Sequence, residues 1–163
     1  MYAFELGTLL KSIAKLNPHF LYLGIYEINE LNIDNLRRLS TNEIVWFLVI
    51  HQNEHWTGLA WNNHSLSFLD SLGKDLSYYN FDFSINLQSS FTCSIRHIPF
   101  PLQSEQSKIC GFFVCYFAWV LARGRDIRNI ISSFRPNHFT WNESLVSDWF
   151  EKHLGHKVSN GNP

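Results

Sequence analysis

The sequence predicts an α+β fold, on three observations. Between residues 44 and 69, three apolar stretches follow one another, separated by short polar turns. Residues 1–16 carry apolar side chains at close to helical spacing. Residues 110–122 form an apolar stretch with no proline and a length that suits a core helix. Together these describe a central mixed, mostly antiparallel sheet packed against helices.

Each element has a local reason. Phe4, Leu6, Leu9, Leu10, Ile13 and Leu16 mark one helical face, which Asn17-Pro18 ends. Residues 20–26 (F-L-Y-L-G-I-Y) are aromatic and β-branched, as in a short buried strand. Leu31, Ile33, Leu36 and Leu39 suggest a short helix or ordered loop over 29–39. The segment 44–50 is a fully apolar strand, with Gln52-Asn53-Glu54 as the turn after it. Residues 55–61 (H-W-T-G-L-A-W) form the next strand, Asn62-Asn63-His64-Ser65 the next turn, and 66–69 a third strand ending at Asp70-Ser71-Leu72-Gly73. This is an antiparallel meander. Residues 75–90 read as a helix or irregular crossover and 91–99 as a further strand. After helix 110–122, Gly124 fits a helix end, with Arg123 and Arg125 beside the negative end of its dipole. Pro136 interrupts, and Asn142 is placed to cap a helix over 143–154.

At 163 residues the chain fits one domain, over residues 1–155, with 156–163 as a loose tail. Apolar residues make up 45%, including 14 Phe, and charged residues only 17%, which excludes intrinsic disorder as its general state. A net charge of −1 provides no global field toward nucleic acid or an anionic membrane. Three cysteines, Cys93, Cys110 and Cys115, are too few for a disulfide framework, and no signal peptide opens the sequence. A reducing intracellular compartment is expected. The longest apolar runs, 44–50 and 110–122, are too short to span a bilayer.

The stretch Q-S-E-Q-S-K-I-C-G-F-F-V-C-Y (103–116) puts a thiol at the start of a buried helix. Unpaired N–H groups and the positive dipole end there both favour a thiolate. A nucleophilic thiolate needs an imidazole to exchange its proton, and the imidazole needs an acceptor that fixes its orientation. His55 opens one strand and Asp70 ends its antiparallel neighbour, so a hairpin brings both to one rim of the sheet. Cys110 then only has to face that rim. Gln103 and Gln106 both precede Cys110 and either could donate a hydrogen bond to an oxyanion; spacing alone does not choose. A rival reading, zinc on the H-x-x-E-H run His51-Gln52-Asn53-Glu54-His55, requires a helix, and these residues straddle a turn between strands.

These motifs resemble the adenovirus-type cysteine protease family, adenain, within the wider group of ubiquitin-like-protein proteases. His55-Trp56 opening a strand, F-L-D-S-L-G around Asp70, and Q-S-E-Q-S-K-I-C-G-F-F-V-C carry the resemblance, in the family's order of His, acid, Gln and Cys. The F-L segment at 20–26 adds to it, and the likeness covers about residues 1–122.

The resemblance implies a papain-like, adenain-like fold and a thiol endopeptidase. Cys110 would be nucleophile, His55 general base and acid, Asp70 the orienting carboxylate and Gln103, seven residues before Cys110, the oxyanion donor. Gln106, at four, fits the family less well. Trp56 would wall the site or serve as a core aromatic. Cys115 would be core. The resemblance also implies an activating viral peptide, tethered by a disulfide to Cys93, against which stands a plain buried strand cysteine. It implies Gly-containing cleavage sites in viral capsid or core precursors, hence a host nucleus or virion location. A protease specific for ubiquitin-like modifiers and a non-catalytic binding module are the alternatives; retention of all four residue types argues against the module. The adenoviral enzymes also use DNA, for which this near-neutral chain offers only Arg123, Arg125, Arg128 and Arg135.

Overall fold

The structure is a computed structural model and describes residues 1–155. The tail expected over 156–163 lies outside the described residues. Five strands form one sheet in the order β1 (Phe20–Tyr26), β2 (Val45–Gln52), β3 (His55–Asn62), β4 (Ser65–Leu69) and β5 (Ile95–His97). The three inner strands pair antiparallel as the meander requires, and the two outer strands join them in parallel. Both hairpins turn on two residues with positive φ, Asn53-Glu54 (51° and 62°) and Asn63-His64 (49° and 64°). That geometry matches the twist of the flanking strands, and Asn tolerates it well.

Helices cover both faces of the sheet, so β2 reads as an unbroken apolar run. On one face α1 (Ala3–Ala14), α5 (Cys110–Ala122), α6 (Ile127–Ser132) and α7 (Phe139–His153) enclose a core containing Phe47, Val49, Phe113 and Phe117. On the other, α2 (Ile33–Leu39) and α4 (Phe81–Phe91) cover Trp46, Leu48, Leu59 and Phe68. Phe47, Phe113 and Phe117 are fully buried, each stabilising the fold by ~1.5–3 kcal/mol relative to exposure. Helix α5 is apolar all round and sits at the centre of its layer, which fixes where its N-terminus points.

Four expectations are corrected. The strand expected over 91–99 shrinks to Ile95–His97, because Phe91 ends α4 and Thr92 turns the chain through a left-handed conformation (φ 50°). Cys93 therefore lies in a bend, half-buried against the second core, and is not a strand residue. Asn142 does not cap a helix. Its buried side chain sits inside α7 and closes the preceding loop, accepting from Arg135 N–H (2.9 Å) and donating to the Arg135 carbonyl (2.8 Å). Helix α6 falls where no element was expected; Asp126 caps it by accepting from Arg128 N–H at 2.9 Å. The strand at 20–26 forms as expected, but at an edge, so only Phe20 is fully buried.

Candidate active site

The Asn53-Glu54 turn delivers His55 as the first residue of β3, paired with Gln52, while His51 pairs with Trp56. Paired residues share a face and successive residues alternate, so His51 and His55 point to opposite faces. The H-x-x-E-H run thus cannot converge on one ion, and the His51 ring instead stacks on Trp56, 4.3 Å between centroids.

The β3–β4 register pairs Gly58 with Leu69, which sets the next residue, Asp70, diagonally across from His55 on the same face. His55 Nε2 lies 2.6 Å from Asp70 Oδ1. Asp70 is fully buried yet well supplied with donors. Leu72 N–H donates to Oδ1 (3.0 Å), and Tyr79 O–H donates to Oδ2 (2.6 Å). Burial pushes the Tyr79 phenol well up, and its bond to Asp70 pushes it further, so it stays a donor.

Tyr79 was not foreseen. It ends the four-residue helix α3 (Leu76–Tyr79), held by two successive caps. Asp75 Oδ1 accepts from Tyr78 N–H (3.0 Å) and Asn80 Oδ1 from Phe83 N–H (2.9 Å), the second opening α4. Asp75 and Asn80 are N-cap signals that divide the 75–90 segment. The Tyr79 ring also lies beside His55, inclined by 28° with ring centroids 6.3 Å apart.

Cys110 occupies the first position of α5, only 7% exposed. Its thiol lies near the His55 imidazole and the backbone N–H groups of Trp56 and Gly111, all of which act to lower its pKa. With Nε2 on Asp70, Nδ1 is the ring nitrogen left for the thiol. Burial pushes the thiol up, but His55 and those two amides outweigh it, so its pKa falls below the ordinary cysteine value. Burial pulls the His55 imidazole down, yet Asp70 and Cys110 raise it to about 9. These opposite shifts favour a thiolate–imidazolium pair. Cys115 lies in the core as expected, its thiol pushed up by burial.

Gln103 is 2% exposed, whereas Gln106 is exposed at the surface. Gln103 Nε2 donates to the Ser107 carbonyl at 3.2 Å, and Oε1 is buried without a partner among the described residues. An open groove of about 440 Å³ runs beside it, bordered by Leu72, Gly73, Lys74 and Phe139. The Trp56 ring packs on the α5-side core, and its backbone N–H lies near the thiol. Of the basic cluster, Arg128 pairs with Asp126 (2.9 Å), Arg123 lies over Trp119 and Arg135 over Trp141.

No protein-family model matches the sequence, and no curated protein matches it as a relative. Solved structures do. The ASFV protease superposes with a TM-score of 0.66 at 12% identity over 94% of this chain and 65% of its own. The C-terminal Ulp1 protease domain, solved with the yeast SUMO orthologue Smt3, gives 0.57 at 18% over 80% and 71%. XopD of Xanthomonas campestris, solved bound to ubiquitin, gives 0.52 at 17% over 76% and 74%. At such identities the likeness speaks for the fold: the chain has the α+β fold of the Ulp1-like cysteine proteases, with a thiol, an imidazole and a carboxylate gathered at the head of α5.

Proposed function

We propose that this protein is a thiol endopeptidase. The observation that carries the reading is Asp70 held 2.6 Å from the His55 imidazole, with Cys110 beside that imidazole at a helix N-terminus. Cys110 attacks the scissile carbonyl as the thiolate, His55 protonates the leaving amine, and Asp70 holds the imidazole in place, itself held by Tyr79 and Leu72. The acyl-enzyme is then hydrolysed by water that His55 deprotonates. Gln103 supplies an oxyanion donor from its Nε2 together with the backbone N–H of Cys110. Burial of Gln103 and exposure of Gln106 support Gln103 for this role.

The substrates are proteins cut beside small residues. The resemblance implies glycine next to the scissile bond, and a Cys110 only 7% exposed beside a His55 side chain 14% exposed suits a small residue there. The reading taken first is maturation of viral capsid or core precursors, in the host nucleus or the virion; its motifs are the adenain-like ones, and the ASFV protease has a similar fold. The second reading is removal of a ubiquitin-like modifier, favoured by the likeness to folds solved with Smt3 and ubiquitin. A modifier bearing a C-terminal electrophile that labels Cys110 supports the second; cleavage of a precursor peptide without such labelling supports the first.

An activating peptide disulfide-linked to Cys93 belongs to the same reading. Cys93 is half-buried and unpaired beside edge strand β5. Loss of peptide stimulation in Cys93→Ser with basal activity intact supports the tether; unchanged stimulation removes it. The whole assignment is tested on a Gly-containing peptide library. Wild type should cleave it and Cys110→Ala should not; equal cleavage by both would refute Cys110 as nucleophile.

A further inference from the structure

The segment between β5 and α5 has no regular structure, yet it must hold Gln103 to a fraction of an ångström if its amide is to meet an oxyanion. The turn after Asp70 supplies the support. The Ser71 carbonyl accepts both Leu102 N–H (2.7 Å) and Gln103 N–H (3.3 Å). Gly73, at φ +73°, presses its backbone directly on the Phe100–Pro101 peptide. A Cβ there would stand 2.5 Å from Pro101 N and 2.6 Å from the Phe100 oxygen. One four-residue turn therefore touches the carboxylate that orients His55 and the chain that carries Gln103.

The amide also needs the right face forward. Donating one hydrogen to the Ser107 carbonyl leaves the other Nε2 hydrogen for the oxyanion. A flipped amide would turn its oxygen toward the oxyanion and repel it. Nothing described bonds the opposite atom, Oε1, although it is buried. Ser71 Oγ is likewise buried without a partner, on the residue whose carbonyl holds the Gln103 backbone. A hydroxyl donates and an amide oxygen accepts, so the two needs are complementary.

Resting on the protease reading, we propose that Ser71 and Gly73 are positioning residues for Gln103. Gly73 sets the path of its backbone, and the Ser71 hydroxyl, through one enclosed water, serves Oε1 and fixes which face of the amide meets the oxyanion. The role is separable from the neighbouring Asp70, because thiolate formation does not use the oxyanion donor.

Three readouts on Ser71→Ala, which removes one hydroxyl, test this. They are kcat and KM on a Gly-containing fluorogenic peptide, affinity for a peptide aldehyde whose hemithioacetal oxygen occupies the oxyanion position, and the rate of Cys110 alkylation by iodoacetamide. The expected result is about a tenfold loss in kcat and in aldehyde affinity, with KM and alkylation unchanged. Gly73→Ala should show the same pattern with a larger loss. Unchanged kcat and aldehyde affinity in Ser71→Ala overturn the proposal, and so does an alkylation rate that falls in step with kcat, since the residue would then act through Asp70. A wild-type thiol no more reactive than free cysteine instead overturns the protease reading, and this proposal with it.

Discussion

His55 and Asp70 stand on a hairpin, while Gln103 stands on a stretch with no hydrogen-bond ladder of its own. For the first pair, the strand register alone sets which residues meet, and one pairing, Gly58 with Leu69, fixes the rest. For Gln103 the support is a set of individual contacts with Ser71, Gly73 and Ser107. On the proposed reading, the site joins a rigid half that activates the thiol to a half, held contact by contact, that stabilises the intermediate. The two halves should fail differently when perturbed.

The largest effect belongs to the rigid half. Asp70→Asn keeps the shape but removes the charge that steadies the imidazolium, and kcat should fall by about 10³–10⁴-fold with alkylation slowed at neutral pH. Gln103→Ala should cost about 10²–10³ in kcat while leaving alkylation intact. If it slowed alkylation as much as Asp70→Asn does, the two halves would not be separate. Gln106→Ala, at an exposed position, should change kcat by less than about twofold.

Tyr79→Phe tests the back of the rigid half. It keeps the ring beside His55 and leaves Asp70 Oδ2 without its phenol donor. The orphaned buried oxygen should cost about 1–3 kcal/mol of stability, read by denaturant unfolding. Because Asp70's hold on the imidazole raises His55, loosening it should also move the alkaline limb of kcat/KM downward. Unfolding and pH profiles both matching wild type would mean that Tyr79 plays no part.

The same difference explains what the sequence could reveal. His55, Asp70 and Cys110 are legible because turn residues and apolar runs bound the strands and the helix that carry them. Gln103 could be chosen over Gln106 only through family resemblance, since no periodicity runs through a loop. Tyr79 escaped because its contact with Asp70 depends on how two short capped helices fold back on β4. Cys93 was misplaced because β-branched and aromatic composition near 91–99 outweighed the turn at Thr92. Helix α6 went unseen for a similar reason: six residues carry too little periodicity to stand out against their cap.

The central claim is that Cys110 and His55 form an ion pair ready to react. The direct test is the rate of Cys110 alkylation by iodoacetamide against pH, in wild type and in His55→Ala. The thiol is lowered and the imidazole raised to about 9, so wild type should carry more thiolate at a given pH than an ordinary cysteine. Its rate should then rise at lower pH than that of an ordinary thiol, with a second change as His55 loses its proton near pH 9. In His55→Ala the rate at neutral pH should drop and rise only as an ordinary buried thiol ionises, at higher pH. Superimposable profiles for the two proteins would contradict the account.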